Sequence, residues 1–161
     1  MATYTPLQSI TLNASATSLT FTNIPQTYTD LVLVQSVKGV GSTSSGQTEP
    51  DIQFNGDSSS NYSLTQILGN GSSVLSTRTT SSNIGIAVNY TDQNQYATSI
   101  THILSYTNTS LYKTALTRWS NMGSSDSYAA GVIGLWRSYA AINAIRIYAR
   151  TNSNSFDAGS T

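Results

Sequence analysis

The chain contains no cysteine and little charge. It has no Cys among 161 residues, and only 9% of its residues are charged, against about 25% in an average globular domain. The lack of Cys excludes a disulfide framework, a thiolate zinc site and a thiol nucleophile. Seven cations balance seven anions, so there is no basic footprint for nucleic acid or an anionic membrane. We therefore expect no nucleic-acid partner and no membrane partner.

Long apolar segments are also missing. The longest nearly apolar run, Ala129 to Trp136, is far shorter than the ~20 residues that span a bilayer. The first ten residues, MATYTPLQSI, lack the basic and apolar pattern of a signal peptide. His102 is the single histidine, so a zinc site would have to consist mainly of carboxylates. We expect no metal and no cofactor.

Hydroxyl side chains replace the missing charge. Ser and Thr number 50, and these residues disfavour helix interiors because they compete for backbone hydrogen bonds. Short alternating or apolar runs recur between clusters of Gly, Asn, Asp and Ser, which predicts an all-β sandwich or barrel. About ten strands exceed what one open twisted sheet carries comfortably. We therefore predict one domain over residues 1–161, an antiparallel two-sheet β-sandwich of jelly-roll type.

The predicted strands follow these runs. They are Leu7–Asn13, Ser18–Thr22, Leu31–Val40, Asp51–Asn55, Tyr62–Leu68, Ile84–Tyr90, Thr98–Tyr106, Tyr112–Asn121, Ala129–Arg137 and Ile142–Arg150. Consecutive apolar residues in 31–34 and 132–136 predict central strands buried on both faces, since neighbouring side chains point to opposite faces. In the last strand, Ile145, Ile147 and Ala149 alternate with polar residues, which predicts one wet face.

Candidate catalytic groups are few. His102 shares a strand face with Ile100 and Leu104, which indicates a hydrogen-bonded structural role. A Ser/His/Asp triad is the alternative, but the Gly-x-Ser-x-Gly elbow is missing. A glycosidase needs two carboxylates at a fixed separation across a cleft. Glu49 and Asp51 could lie close together, but they flank a loop and Pro50, and solvation of this loop is the favoured explanation. Asp57 is the first of several residues with side-chain oxygens that could bind calcium, but their spacing is not that of an EF-hand loop. We predict no catalytic residue, with a polysaccharide hydrolase as the minor alternative.

The two tryptophans differ in setting. Trp136 lies in an apolar run and is predicted to be core. Trp119 alternates with Tyr112 and Leu116, which we take as the buried face, and would then point away from the core. An exposed Trp suits a partner interface or a sugar platform. The alternative is that a loop covers it.

The first twelve residues form the other candidate contact region. Residues 1–12 are predicted to be an N-terminal arm or an edge strand. Tyr4 and Leu7 lie in this segment, ahead of the first clearly alternating strand. With Trp119, they are the predicted partner-interface residues.

Several short phrases occur in a fixed order along the chain. They are Phe21–Leu31 (FTNIPQTYTDL), Phe54–Asp57 (FNGD), Asn61–Ser63 (NYS), Gly69–Ser72 (GNGS), Tyr106–Thr109 (YTNT), Tyr112–Lys113 (YK), Gly134–Arg137 (GLWR), Ala140–Ile142 (AAI) and Phe156–Ser160 (FDAGS). In this order the chain resembles small β-sandwich virion proteins of tailed bacteriophages, cyanophages among them. In that family a further apolar strand usually follows the phrase near Phe156, whereas this sequence ends at Thr161, so the resemblance predicts one incomplete sheet edge.

The resemblance implies a structural role. Members of the family are capsid cement (decoration) proteins or modules of tail fibres. It implies a non-enzymatic protein on the outer capsid surface of the virion, with the major capsid protein as partner and a homo-oligomer, a trimer favoured, as the assembly. A receptor- or carbohydrate-binding module of a tail fibre is the alternative.

Deletion of residues 1–8 tests the predicted arm. If the segment crosses a protomer boundary, its loss should weaken oligomerisation or capsid binding, because the contacts of Tyr4 and Leu7 disappear. Sedimentation and shell occupancy would measure this. If both remain unchanged, the arm prediction is wrong.

Overall fold

The protein is all-β. In the computed structural model the described residues are 4–40, 48–86, 96–122, 127–150 and 154–161. This part of the chain contains no helix that is long and apolar enough to cross a membrane. The strands are β1 (Ser18–Phe21), β2 (Leu31–Val37), β3 (Gly39–Val40), β4 (Pro50–Phe54), β5 (Tyr62–Gly69), β6 (Val74–Ser81), β7 (Ile84–Gly85), β8 (Ala97–Leu104), β9 (Lys113–Met122), β10 (Ser127–Trp136), β11 (Ile145–Ala149) and β12 (Ser155–Phe156).

Ten of these strands form two packed sheets. The four-stranded sheet has the order β1-β11-β4-β7, and the six-stranded sheet has the order β2-β8-β9-β10-β5-β6. All pairs are antiparallel. The chain crosses repeatedly between the sheets and brings β11 back beside β1, as in a jelly roll. The predicted two-sheet sandwich is confirmed, and β8, β9 and β10 form a meander in the wider sheet.

Most predicted strands are present, with three differences. Leu7–Asn13 is not a strand in the structure. The sequence prediction missed β6, because this strand is exposed along nearly its whole length and so carries no burial pattern. It also missed the two-residue strand β12. The predicted strand Ile84–Tyr90 is seen as the short β7, and residues 87–90 lie outside the described part of the chain.

The expectation of two strands buried on both faces is wrong. In β2, Leu31 and Leu33 are buried but Val34 is 65% exposed, and β2 lies at the edge of its sheet. In β10, which is central, Val132 is buried while Ile133 is 56% exposed. The alternation predicted for the last strand is confirmed, since β11 buries its three apolar residues and turns its other side chains outward.

An aromatic cluster fills one end of the core. The ring of Trp136 lies 5.5 Å from Phe54 and stacks 6.2 Å from Tyr62. All three side chains are almost fully buried. The Tyr62 hydroxyl accepts from the Phe54 backbone N–H and donates to the Asp57 carbonyl, so the polar end of this ring is satisfied. Burial raises the pKa of Tyr62, which keeps the hydroxyl neutral. The cluster joins β4, β5 and β10 across the two sheets.

The two sheets approach closely at Gly134. A Cβ at this position of β10 would lie 2.5 Å from Cγ2 of Ile84 in β7. Ile84 is fully buried, and a β-branched side chain has restricted rotamer freedom. A side chain at Gly134 would therefore push the sheets apart.

We expect Gly134→Ala to destabilise the fold by roughly 1–3 kcal/mol, the usual cost of overpacking a core. Gly131→Ala is the matched control in the same strand, because a Cβ there meets nothing within 4 Å. Urea denaturation of both variants measures the difference in unfolding free energy. Equal stabilities would contradict the close approach.

Candidate functional site

The outward side of the six-stranded sheet is rich in aliphatic side chains. The strand registers align outward-pointing residues in rows across β2, β8, β9, β10 and β5. We call this surface the outer face. Its aliphatic members are Val32, Val34, Ile67, Ile100, Leu104, Leu116, Ile133 and Leu135. Several are about half exposed or more, including Leu116 at 46%. A patch of this kind on a soluble protein indicates an interaction site.

The interior strands β8 and β9 depart from the usual alternation at several positions. In β9, Lys113 and Thr117 point inward and are fully buried, whereas Leu116 points outward. In β8, Ser99 and Thr101 are buried on the inner side. An antiparallel sheet with one solvated face normally shows the opposite pattern, hydrophobic inside and polar outside. Polar residues therefore occupy positions in the core while aliphatic residues face outward.

Several of the buried polar groups form hydrogen bonds within the sandwich. The Thr101 and Thr117 hydroxyls lie 2.8 Å apart across β8 and β9. The Lys113 ammonium donates to the Leu111 carbonyl at 2.7 Å, and burial lowers the pKa of this lysine. Gln35 donates through Nε2 to the Ser99 hydroxyl. Such bonds offset the desolvation cost of burying polar groups.

Trp119 lies inside the sandwich, which corrects the prediction that it is an exposed interface residue. It is only 4% exposed and lies on the inner side of β9. The prediction took Tyr112 and Leu116 as the buried face, but both are exposed. The indole Nε1 of Trp119 and Oε1 of Gln35 are buried without a hydrogen-bond partner. In this structure Trp119 is a core residue.

The other two predicted interface residues lie in the N-terminal segment. Tyr4 is well exposed, and Leu7 is partly exposed. Leu7 lines a small apolar cavity between β1 and β2, beside Phe21 and Leu33. The interface role of both residues stays a prediction.

The C-terminal half of the predicted arm is attached to its own chain. The backbone of Leu12 exchanges hydrogen bonds with Gly159 and Ser160. The hydroxyl of Thr161 donates to the Ile10 carbonyl. Any arm that reaches another protomer would therefore begin before these residues.

The ionisable side chains on the outer face are two arginines and one histidine. Arg118 lies at its centre, between Ile100 and Gly131 in the register, and Arg78 lies at its β6 side. His102 is half-buried in the row that joins Val32 to Leu116. The outward positions of these described strands carry no Asp or Glu. The face therefore combines aliphatic and hydroxyl side chains with a positive charge at its centre.

The structure brings Glu49 and Asp51 together at Arg150. The guanidinium donates to both carboxylate oxygens of Asp51, at 2.7 and 3.0 Å from its Nη2 and Nε, and also pairs with Glu49. Burial raises the pKa of Asp51, against the opposing effect of Arg150. An acid pair engaged by one arginine serves to hold β4 and the end of β11 together.

Asp57 organises the loop between β4 and β5. Its carboxylate accepts from the Trp136 indole N–H at 2.7 Å, the Asn61 amide at 3.0 Å and the Ser59 backbone at 2.9 Å. Burial alone would raise the pKa of this carboxyl, but these bonds outweigh it and lower the pKa below 3.8. Within the described ranges, no three metal-ligating side chains cluster. The oxygen-rich run from Asp57 to Asn61 thus forms an internal hydrogen-bond network.

Two exposed tyrosines form a second surface feature. The rings of Tyr112 and Tyr139 lie 4.8 Å apart, beside exposed Leu111. A hydrogen bond to Tyr112 raises the pKa of Tyr139. The two rings are tilted by 33° to each other, and exposed tyrosine rings present an apolar body with a polar tip.

Comparison with known proteins gives no relative. No protein-family model, curated protein or solved structure matches the chain.

The Asp57 network predicts a pH dependence. A lowered pKa in the folded state contributes stability above pH 3.8 that is lost as the pH falls through the folded-state pKa. We expect Asp57→Asn to be less stable than wild type at pH 7, by roughly 1–3 kcal/mol from the lost charge-assisted bonds. The gap should close in acid. Urea unfolding from pH 3 to 7 measures it.

Ser58→Ala is the control for this prediction. Ser58 is exposed in the same loop, so its variant should keep the wild-type pH profile. A constant difference between wild type and Asp57→Asn at all pH values would contradict the role of the carboxylate.

Proposed function

We propose that the protein is a non-enzymatic structural component of a virion, a cement protein that binds the outer surface of an assembled phage head. The outer face is the binding surface. The observation that carries the proposal is the set of exposed aliphatic side chains on this face, such as Leu116 and Ile133, in a sheet whose inner side buries Lys113. The phage resemblance of the sequence supplies the identity of the partner, the major capsid protein.

The exposure of these aliphatic side chains has a physical explanation if a partner covers the outer face. Exposed aliphatic side chains gain roughly 25 cal/mol for each Å² of apolar surface removed from water. The consecutive apolar residues of β10 then have both faces covered, Val132 by the other sheet and Ile133 by the partner. In the proposed assembly both faces of β10 would be buried, as its run of consecutive apolar residues predicts, whereas in the single chain only one face is buried.

The size of the outer face fits a protein partner. Strands spaced about 4.8 Å apart and rising about 3.4 Å per residue give six strands of eight residues a projected area of roughly 780 Å² for the whole face, polar positions included. It approaches the roughly 800 Å² that each partner contributes to a standard interface. The face is therefore large enough for specific attachment.

The charge of the outer face specifies the chemistry of the partner. Arg118 lies among aliphatic residues, and the outward positions around it carry no acid. A complementary surface is apolar and offers a carboxylate that Arg118 can bind in bidentate fashion. A cement protein that binds only the assembled lattice stabilises it by its own binding free energy. Many copies on one shell act together.

A tail-fibre module that binds receptor or carbohydrate is the second candidate. The exposed pair of Tyr112 and Tyr139 favours it, because aromatic rings can stack on sugar faces. This pair lies at the loop end of the sandwich rather than on the outer face. The two candidates therefore use different surfaces.

The number of copies per virion separates the candidates. Quantitative mass spectrometry of purified virions should find hundreds of copies of a cement protein and only a handful of a fibre module. Cryo-electron microscopy should then place the protein at capsomer junctions. A chain that is missing from virions would overturn both.

We expect Leu116→Asp to weaken binding to heads by tenfold or more, since a carboxylate would be buried in an apolar interface, and about 1.4 kcal/mol corresponds to tenfold. Leu111→Asp is the matched control, because Leu111 is also exposed but lies in the loop between β8 and β9. Co-sedimentation with heads measures occupancy. Equal binding by both variants would exclude the outer face as the attachment surface.

A further inference from the structure

Three of the four edges of the main sheets are short or covered. The β2 edge is covered by the C-terminal segment, because Ser36 and Thr161 exchange two backbone hydrogen bonds. Beside β1, a strand of four residues, Ala16 bridges to Phe156. β7 has only two residues. Natural sheets block their edges in these ways because unpaired backbone groups attract other strands.

The fourth edge, β6, is long and open. It runs for eight residues, Val74–Ser81, and seven of them are exposed. Val74 and Leu75, which point to opposite faces, are 76% and 54% exposed. β6 contains no proline, and Arg78 is its one charged residue. No described segment pairs with its outer side. It therefore lacks the usual protections of an edge strand.

The turn before β6 holds the strand in place. The Asn70 side-chain oxygen accepts from the backbone N–H of Ser72 and of Ser73. Gly71 adopts φ +86°, which a glycine tolerates without strain. β6 then pairs with β5 over its whole length, from Val74 opposite Gly69 to Ser81 opposite Tyr62. The open edge is thus preformed, which lowers the entropy cost of pairing with another strand.

We propose that β6 pairs antiparallel with β6 of a second copy of this chain. The dimer joins two six-stranded sheets into one continuous sheet about a two-fold axis. Two registers give the longest overlap between the two copies of β6. In one, Thr77 lies directly opposite Thr77 of the second copy; in the other, Arg78 lies directly opposite its own copy. A centre at Arg78 places two like charges directly opposite, which is destabilising. A centre at Thr77 avoids this contact.

The register centred on Thr77 is self-complementary. It places Thr77 opposite its own copy, Leu75 opposite Thr79, and Ser76 opposite Arg78. The strand supplies five hydroxyl residues, and cross-strand hydroxyl pairs stabilise antiparallel strands. The same operation brings the two outer faces side by side, so Ile67 and Val74 of both copies extend one apolar surface. A second copy therefore fits this edge without any other partner.

The dimer is expected to be weak in solution. A ladder of seven residue pairs buries less than the roughly 1,200 Å² of a stable interface, so it should dissociate on dilution. Copies held side by side on one surface would pair more readily because their effective concentration is high. A two-fold dimer also replaces the three-fold assembly that the sequence resemblance implies.

Disulfide trapping tests the register directly. The chain has no cysteine, so a single introduced Cys reports one contact. Thr77→Cys should form a disulfide dimer under mild oxidation, because the two copies of residue 77 face each other about 5 Å apart. Thr79→Cys is the matched control on the same face of the same strand. Its two copies would lie about 14 Å apart, beyond disulfide reach.

The expected result is selective cross-linking of Thr77→Cys on a non-reducing gel. Equal cross-linking of both variants, or none, would overturn the proposal.

Sedimentation of the wild-type chain supplies the second measurement. It should show a concentration-dependent dimer that Thr77→Lys abolishes, since the new charges lie opposite each other. A monomer at every concentration, or a trimer, would also overturn it. Neither measurement involves phage heads, so failure here leaves the cement-protein proposal standing.

Discussion

The two sheets of the sandwich have different widths, and much of the molecule follows from this mismatch. Four strands cannot cover six, so β6 extends past the smaller sheet and is solvated on both sides. The sheets are held together instead at a tight contact between Gly134 and Ile84 and at the aromatic cluster around Trp136. The wider sheet keeps a complete outward surface and one free edge, and the proposed contacts with other molecules lie on these two features.

The distribution of polar groups follows a second rule. The inner side of β8 and β9 contains hydroxyls and the Lys113 ammonium, which are satisfied by one another or by backbone carbonyls. Aliphatic residues occupy part of the outer side, where several are about half exposed in the isolated chain. Burial of polar groups has a desolvation cost, and exposure of apolar groups forgoes hydrophobic stabilisation. In the proposed complex, coverage of the outer face by a partner would remove the second cost.

The fold class was accessible from the sequence because alternation and turn signals are local. β11 illustrates this, since its apolar residues mark the buried face correctly. The orientation of β9 was not accessible, because we took Tyr112 and Leu116 as the buried side, whereas the structure buries Lys113 and Thr117. The prediction that Trp119 is exposed was wrong for the same reason.

The strand β6 was missed because a solvated strand of Ser and Thr has no burial pattern, and its existence depends on pairing with β5. The consecutive apolar residues in β2 and β10 were the one sequence signal of the outer face.

The central claim is that the outer face is buried against a phage head. Hydroxyl-radical footprinting compares the free chain with the chain on virions, side chain by side chain. The account predicts that Val34, Leu116 and Ile133 are labelled in the free chain and protected on the virion, while Tyr112 and Tyr139 are labelled in both states. Unchanged labelling of the three aliphatic residues, with protection of the tyrosine pair instead, would contradict it.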